Sequence, residues 1–277
     1  MIVAVCADKG APGVTTLALA LGMVWQGPRV VLEADPSGAD LPFRTRHEDG
    51  GRLLAGEPSV LSLAADARAG LPADALPRYT QPTTVGVPVI PGALSAEAYS
   101  PMRHLWPQVA AEAARWPGTV IADLGRLQPG HSGLPLAQAA TAVLLVAWPT
   151  LEGLHHLRDR VTELGHLLGD PSLPRPALSV VVVAEHRHRR EAEQSVTGML
   201  AAAGSPIALA GVVADDPAAA RALNSGDVGR RLTASRLLAT TAQVAARLLE
   251  WWPQLGAGAD WEPATSAATD GRAGVAP

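Results

Sequence analysis

Runs that are apolar at nearly every position recur along the chain: Ile2 to Cys6, Arg29 to Leu32, Val85 to Ile90, Thr119 to Ala122, Ala142 to Ala147, Ser179 to Ala184 and Ile207 to Val213. Continuous rather than alternating apolarity suits strands buried on both faces of a parallel sheet. Between the runs lie segments long enough for helices: Thr15 to Gln26, Ser59 to Arg68, a Pro-interrupted stretch from Ser95 to Trp116, Leu151 to Leu168, His188 to Ala203, Pro217 to Leu223 and Thr233 to Trp252. The alternation predicts a doubly wound α/β fold, with a mostly parallel sheet of about seven or eight strands flanked by helices and ligands at the strands' carboxyl ends. No Pro/Gly-rich linker divides the pattern, so one domain is expected from Met1 to about Leu255. The remaining segment, Gly256 to Pro277, is rich in small and polar residues without periodicity and reads as a flexible tail.

Composition narrows this picture. The 277 residues are 48% hydrophobic and 17% charged, with a formal net charge of −4, which disfavours a broadly basic nucleic-acid binder. The longest apolar run, Ala139 to Trp148, is about half of a membrane span. The first residues carry neither a basic flank nor a small-residue cleavage site, so the cytoplasm is the expected location. The one cysteine, Cys6, falls in the first strand and is expected in the core. Of the 22 basic residues only one is lysine, and that one, Lys9, lies in the first loop.

That loop follows the first strand and precedes an amphipathic helix: Asp8-Lys9-Gly10-Ala11-Pro12-Gly13-Val14-Thr15-Thr16. A strand, a Gly-containing loop and a helix opening on Thr-Thr is a phosphate cradle, because backbone N–H groups and the helix dipole favour an anion while a hydroxyl can reach Mg²⁺. The general motif places a lysine directly before that Ser/Thr, and here the position is Val14. Lys9 at the head of the loop resembles instead the deviant Walker A of the ParA/MinD family, Lys-Gly-Gly-Val-Gly-Lys-Thr-Thr. Lys9, Gly10, Gly13, Thr15 and Thr16 match that pattern, whereas Ala11, Pro12 and Val14 depart from it.

Further segments resemble the same family in order, over roughly residues 1 to 250. Glu33-Ala34-Asp35-Pro36-Ser37-Gly38 looks like switch I, with Asp35 in the place of its second acid. Thr119 to Gly125 looks like Walker B and the start of switch II, with Asp123 at the strand's end. Ala142 to Glu152 resembles the strand, Pro and helix beyond switch II. Gly211 to Pro217 resembles the loop beside the adenine, with Ala214 replacing a proline and Asp216 and Pro217 retained. The family's Asn-Arg pair after the preceding strand is replaced by Ala184-Glu185-His186-Arg187.

The resemblance implies ATP and Mg²⁺ as ligands and an ATP-dependent homodimer. Lys9 would contact phosphate in trans, Gly10 to Thr16 would form the cradle, Thr15 would bind Mg²⁺, Asp123 would hold the metal's outer shell and Asp35 would position water or metal. With Val14 replacing the lysine that stabilises charge during phosphoryl transfer, hydrolysis is expected to be weak. Loss of that lysine resembles the TadZ/CpaE branch, whose members localise Flp/Tad-type pilus or secretion machinery. CpaE proteins often carry an extra N-terminal receiver-like domain, whereas this chain opens directly on the P-loop strand. A nucleotide-binding positioning or regulatory protein is therefore the leading expectation. The alternatives are a ParA-like ATPase that partitions DNA and a pseudo-ATPase scaffold that binds no nucleotide. For the DNA reading, His186 to Arg190 and the trio Arg230, Arg231 and Arg236 are the basic clusters, although Glu185, Glu191 and Glu193 dilute the first. The last helix lacks a basic face, so core packing is expected there and any membrane contact would be indirect.

Overall fold

The computed structural model describes residues 1–10, 12–169, 177–205 and 207–256. In chain order the elements are β1 (Ile2–Ala7), α1 (Val14–Val24), β2 (Arg29–Glu33), α2 (Leu41–Arg44), α3 (Val60–Ala67), β3 (Val89–Ile90), α4 (Ala96–Tyr99), α5 (Trp106–Arg115), β4 (Thr119–Arg126), α6 (Leu134–Gln138), β5 (Ala142–Ala147), α7 (Leu151–Leu167), β6 (Ala177–Ala184), α8 (Arg189–Ala202), β7 (Ala208–Ala214), α9 (Pro217–Ser225), α10 (Arg230–Thr233) and α11 (Arg236–Trp251). The seven strands form one sheet in the order β3-β2-β4-β1-β5-β6-β7, and every pairing between them is parallel. The expected tail lies, from residue 257 onward, outside the described residues.

Successive residues of β1 point to opposite faces, and the two faces feed two cores. Ile2, Ala4 and Cys6 pack with side chains of α3, α5, α6, α7 and α8. Val3, Val5 and Ala7 pack with α1, α9, α10 and α11 on the other side. All six residues of β1 are buried, which is why the run carries no polar alternation. Cys6 is in the first core, and burial pushes its thiol up to about 12, so it is a packing residue rather than a nucleophile. α11 packs on β7 and α1, burying Leu237, Leu238, Val244, Ala245 and Leu248, as its apolar stripe predicts.

Three elements differ from the sequence expectation, each for a local reason. The run Val85 to Ile90 contributes only the two-residue β3, because its first half is a turn. Thr83 Oγ1 donates to the Val87 carbonyl at 2.7 Å and accepts from the Val87 N–H at 3.2 Å, while Gly86 takes φ +72°. The stretch Ser95 to Trp116 breaks into α4, a 3₁₀ turn over Arg103–Leu105 and α5, whose Pro107 sits in the first turn, where its missing N–H costs nothing. The helix expected from Thr233 starts instead at Arg236, where Ser235 caps α11, accepting from the Leu238 N–H at 3.2 Å, while Thr233 ends the separate α10. The short helices α2 and α6 were not expected, being too brief to show a period.

Candidate functional site

The loop between β1 and α1 is shaped by two glycines. Gly10 and Gly13 adopt φ +77° and +80°, a left-handed backbone that other residues enter at a cost. Gly13 is the N-cap of α1 and contributes no side chain to the helix end, and no acidic residue occupies the first turn. The first-turn N–H groups therefore have no carboxylate or hydroxyl of the cap to satisfy them, which is the arrangement that accepts an anion. Gly10, Pro12, Gly13, Thr15 and Thr16 line a cavity of about 580 Å³ facing the carboxyl ends of β2 and β4. Ala11 lies outside the described residues. Val14 lines the cavity too, but its side chain is buried among the core residues of α1 and brings no charge.

Two acids come from the neighbouring strands, Asp123 from β4 and Asp35 from just after β2. Asp123 pairs in register with Val5 of β1 and Glu33 of β2, so it is held between two strands and fully buried. Its Oδ1 accepts from the Gly125 N–H at 3.0 Å, whereas Oδ2 is buried with no hydrogen-bond partner among the described residues. Burial pushes this carboxyl up to about 6, opposed by the Thr15 hydroxyl and the Gly125 N–H, which favour the charged form. A buried orphan oxygen beside a threonine hydroxyl fits a hydrated Mg²⁺, which retains most of its waters and takes hydroxyl and carboxylate oxygens. Asp35 lines the same cavity. Its Oδ1 accepts from the Ser37 N–H at 2.8 Å, so the turn and the site use the same side chain. Gly125, at φ +56°, lies directly beneath the Asp35 carboxylate, where a Cβ would overlap it.

Glu33 does a different job. Its Oε1 accepts from the Asp40 and Leu41 N–H groups at 2.7 and 3.0 Å, and its Oε2 accepts from the Gly92 N–H at 3.1 Å. It thereby fastens the start of α2 to β2. Burial pushes its carboxyl up to about 7, and these three N–H donors pull the other way.

Lys9 is exposed and does not line the cavity of its own cradle. It borders a neighbouring depression of about 320 Å³ with Trp148, Thr150, Glu152 and His156. The residue before it is anchored: Arg160 of α7 donates from Nε to Asp8 Oδ1 at 2.6 Å and pairs with Glu163 at 3.0 Å. On the far side of the cradle, Pro12, Gly13 and Thr16 also border a pocket of about 310 Å³ with Trp148, Asp216, Pro217 and Asn224. The structure thus brings Asp216 and Pro217 next to the β1–α1 loop. Asp216 Oδ1 is already engaged, accepting from the Ala219 N–H at 3.1 Å as the cap of α9.

Sequence reasoning missed four contributors. Arg44 and Arg126 line the cavity, Asn224 Nδ2 donates to Thr16 Oγ1 at 3.2 Å, and Arg160 holds Asp8. Each reaches the site through tertiary packing, and among 21 arginines none carries a local signature. The two basic clusters that sequence did single out converge: His186, Arg187, Arg230, Arg231 and Arg236 border one groove, interleaved with Glu185, Asp215 and Asp216.

No protein-family model matches the chain, and no curated protein does either. Solved structures do match. A ParA family ATPase from Chlorobium tepidum superposes with a TM-score of 0.67 at 15% identity, covering 88% of this chain and 97% of that one. The septum site-determining protein MinD of Pyrococcus horikoshii, complexed with Mg-ADP, gives a TM-score of 0.62 at 18% identity, covering 90% and 95%. A single-substitution variant of Cyanothece McdA in complex with ATP gives a TM-score of 0.63 at 17% identity, covering 92% and 96%. The fold is that of the ParA/MinD P-loop NTPases.

Proposed function

We propose that this chain is a nucleotide-gated positioning protein of the ParA/MinD kind, which binds Mg-ATP at the β1–α1 loop, dimerises around it and hydrolyses it weakly. One observation carries the reading: the glycine-capped N-terminus of α1 lines a cavity of about 580 Å³, and the orphan oxygen of buried Asp123 sits on β4 two residues before the Gly125 that lines the same cavity. The first suits phosphate, the second suits hydrated Mg²⁺, and the volume suits a small ligand. The solved structures of like fold include one with Mg-ADP and one with ATP.

Mg²⁺, when bound, would supply positive charge that offsets the charge of the phosphates. Thr15 and Asp123 would hold it, Gly10 to Thr16 would bind phosphate, and Asp35 would orient the attacking water. The exposed position of Lys9, outside the lining of its own cavity, supports a contact with a second copy's phosphates. Weak turnover follows from Val14, since no ammonium reaches the transferring phosphoryl group from within the loop. Recruitment to pilus or secretion machinery of the TadZ/CpaE sort is the corresponding cellular role, in the cytoplasm. Binding of ATP and ADP with Mg²⁺ to wild type and Lys9→Ala, with light scattering to follow mass, tests the reading. ATP is expected to drive a dimer in wild type alone, and absence of binding at millimolar nucleotide would overturn it.

A second reading has its own observation, the convergence of the two basic clusters on one groove. Five basic side chains there suit DNA phosphates, although Glu185 pairs with Arg187 at 2.7 Å. A ParA-like partition role predicts DNA binding that weakens steeply with salt, and salt-independent or absent binding removes it.

A further inference from the structure

The charge missing at position 14 has a replacement in the fold, and this inference rests on the nucleotide-binding reading above. Arg44, the last residue of α2, lines the same cavity as Val14 and Thr15. Its Nε is buried with no hydrogen-bond partner among the described residues. Its one ion pair among the described residues, from a terminal nitrogen to Asp40 Oδ2 at 3.4 Å, is to a largely exposed carboxylate one turn earlier, the kind of contact that contributes little and is readily exchanged.

The helix that carries Arg44 is fastened at both ends. Glu33 takes the Asp40 and Leu41 N–H groups at its start. After it, the Thr45 N–H bonds the Leu41 carbonyl at 2.8 Å and Thr45 Oγ1 reaches the Asn224 carbonyl at 3.4 Å. The backbone bearing the guanidinium is therefore fixed before any ligand arrives, and little ordering entropy remains to be lost on binding.

We propose that Arg44 is the phosphate-contacting cation of this site, gripping the terminal phosphates of the nucleotide in place of a lysine at position 14. The planar fork of arginine donates to two oxygens of one phosphoryl group. It comes from the segment after β2 rather than from the cradle, so the cation and the N–H groups reach the phosphates from different parts of the chain.

The test is calorimetric titration of wild type, Arg44→Ala, Arg44→Lys and Asp40→Asn with Mg-ATP, AMP and inorganic tripolyphosphate. Arg44→Ala is expected to weaken Mg-ATP and tripolyphosphate roughly 10- to 100-fold, the worth of a charge-assisted hydrogen bond, and to leave AMP unchanged. Arg44→Lys should recover part of that loss. Asp40→Asn, which breaks the same ion pair, should not weaken either phosphate ligand. Unaltered phosphate binding in Arg44→Ala, or an equal loss in Asp40→Asn, overturns the proposal. If wild type binds tripolyphosphate but ATP no better than tripolyphosphate, the nucleotide reading fails while the Arg44→Ala comparison on tripolyphosphate still decides this one. If wild type binds neither, both fall.

Discussion

At the scale of single residues, the site depends on atoms that are absent as much as on those present. Gly125 sits at φ +56° on the end of β4, in the irregular register where Val5 pairs with Asp123 and Ala7 with Arg126. The space a Cβ would fill is taken by the Asp35 carboxylate. Gly125→Ala is therefore expected to act twice. The left-handed backbone should destabilise the fold by more than about 1 kcal/mol, read as a lower urea midpoint at unchanged slope. Displacement of Asp35 should also lower any turnover by more than it lowers Mg-ATP affinity. An unchanged midpoint would mean that β4 relaxes to accept the methyl group. The same strand end explains why Asp123 was legible in the sequence and the state of its second oxygen was not. An apolar run ending in Asp marks itself, but that Oδ2 is left bare at 0% exposure is a product of three strands and α1 closing around it.

At the scale of elements, the cradle is held by its neighbours. The loop leaves β1 at Ala7, and Asp8 is tied to Arg160 in the second half of α7. The Arg160 and Asp8 side chains are 11% and 16% exposed, so truncating one strands the other away from water. Arg160→Met should then cost about 3 kcal/mol and should loosen the segment that presents Lys9. The expected readout is a lowered melting temperature together with weaker ATP-driven dimerisation, while binding of nucleotide by the monomer persists. Equal loss of monomer binding would show that the tether serves the whole cradle. Elements such as β1, α1 and β5 could be read from pattern alone, because continuous apolar runs and Gly punctuation are local signals. α2 could not: it is four residues long, its start is fixed by Glu33 seven residues back, and its end meets Asn224 of α9. The positions of Arg44 and Arg160 follow from such long-range contacts, which is why the motif was visible and its supporting cations were not.

At the scale of the whole molecule, the sheet order places β1 between β4 and β5, so the crevice at its carboxyl end opens toward Asp123 on one side and toward the β5–α7 connection on the other. Cradle and acids occupy the first side, and Lys9 borders the second. A single chain thus separates the proposed phosphate site from its lone lysine, and two chains facing one another would reunite them. This has a thermodynamic signature. A ligand that binds only the folded chain stabilises it by about 2.7 kcal/mol at a hundredfold excess over Kd, whatever the protein concentration. A dimer that forms only around nucleotide adds a contribution that grows with protein concentration. With saturating Mg-ATP, the melting temperature of wild type is therefore expected to rise as protein concentration rises. Lys9→Ala should show the nucleotide shift without that dependence, and Mg-ADP should give a concentration-independent shift in both. A wild-type melting temperature that ignores protein concentration in Mg-ATP would remove the trans role of Lys9 while leaving the cradle intact. No shift with either nucleotide would remove the cradle as well, and with it the dimer that depends on it.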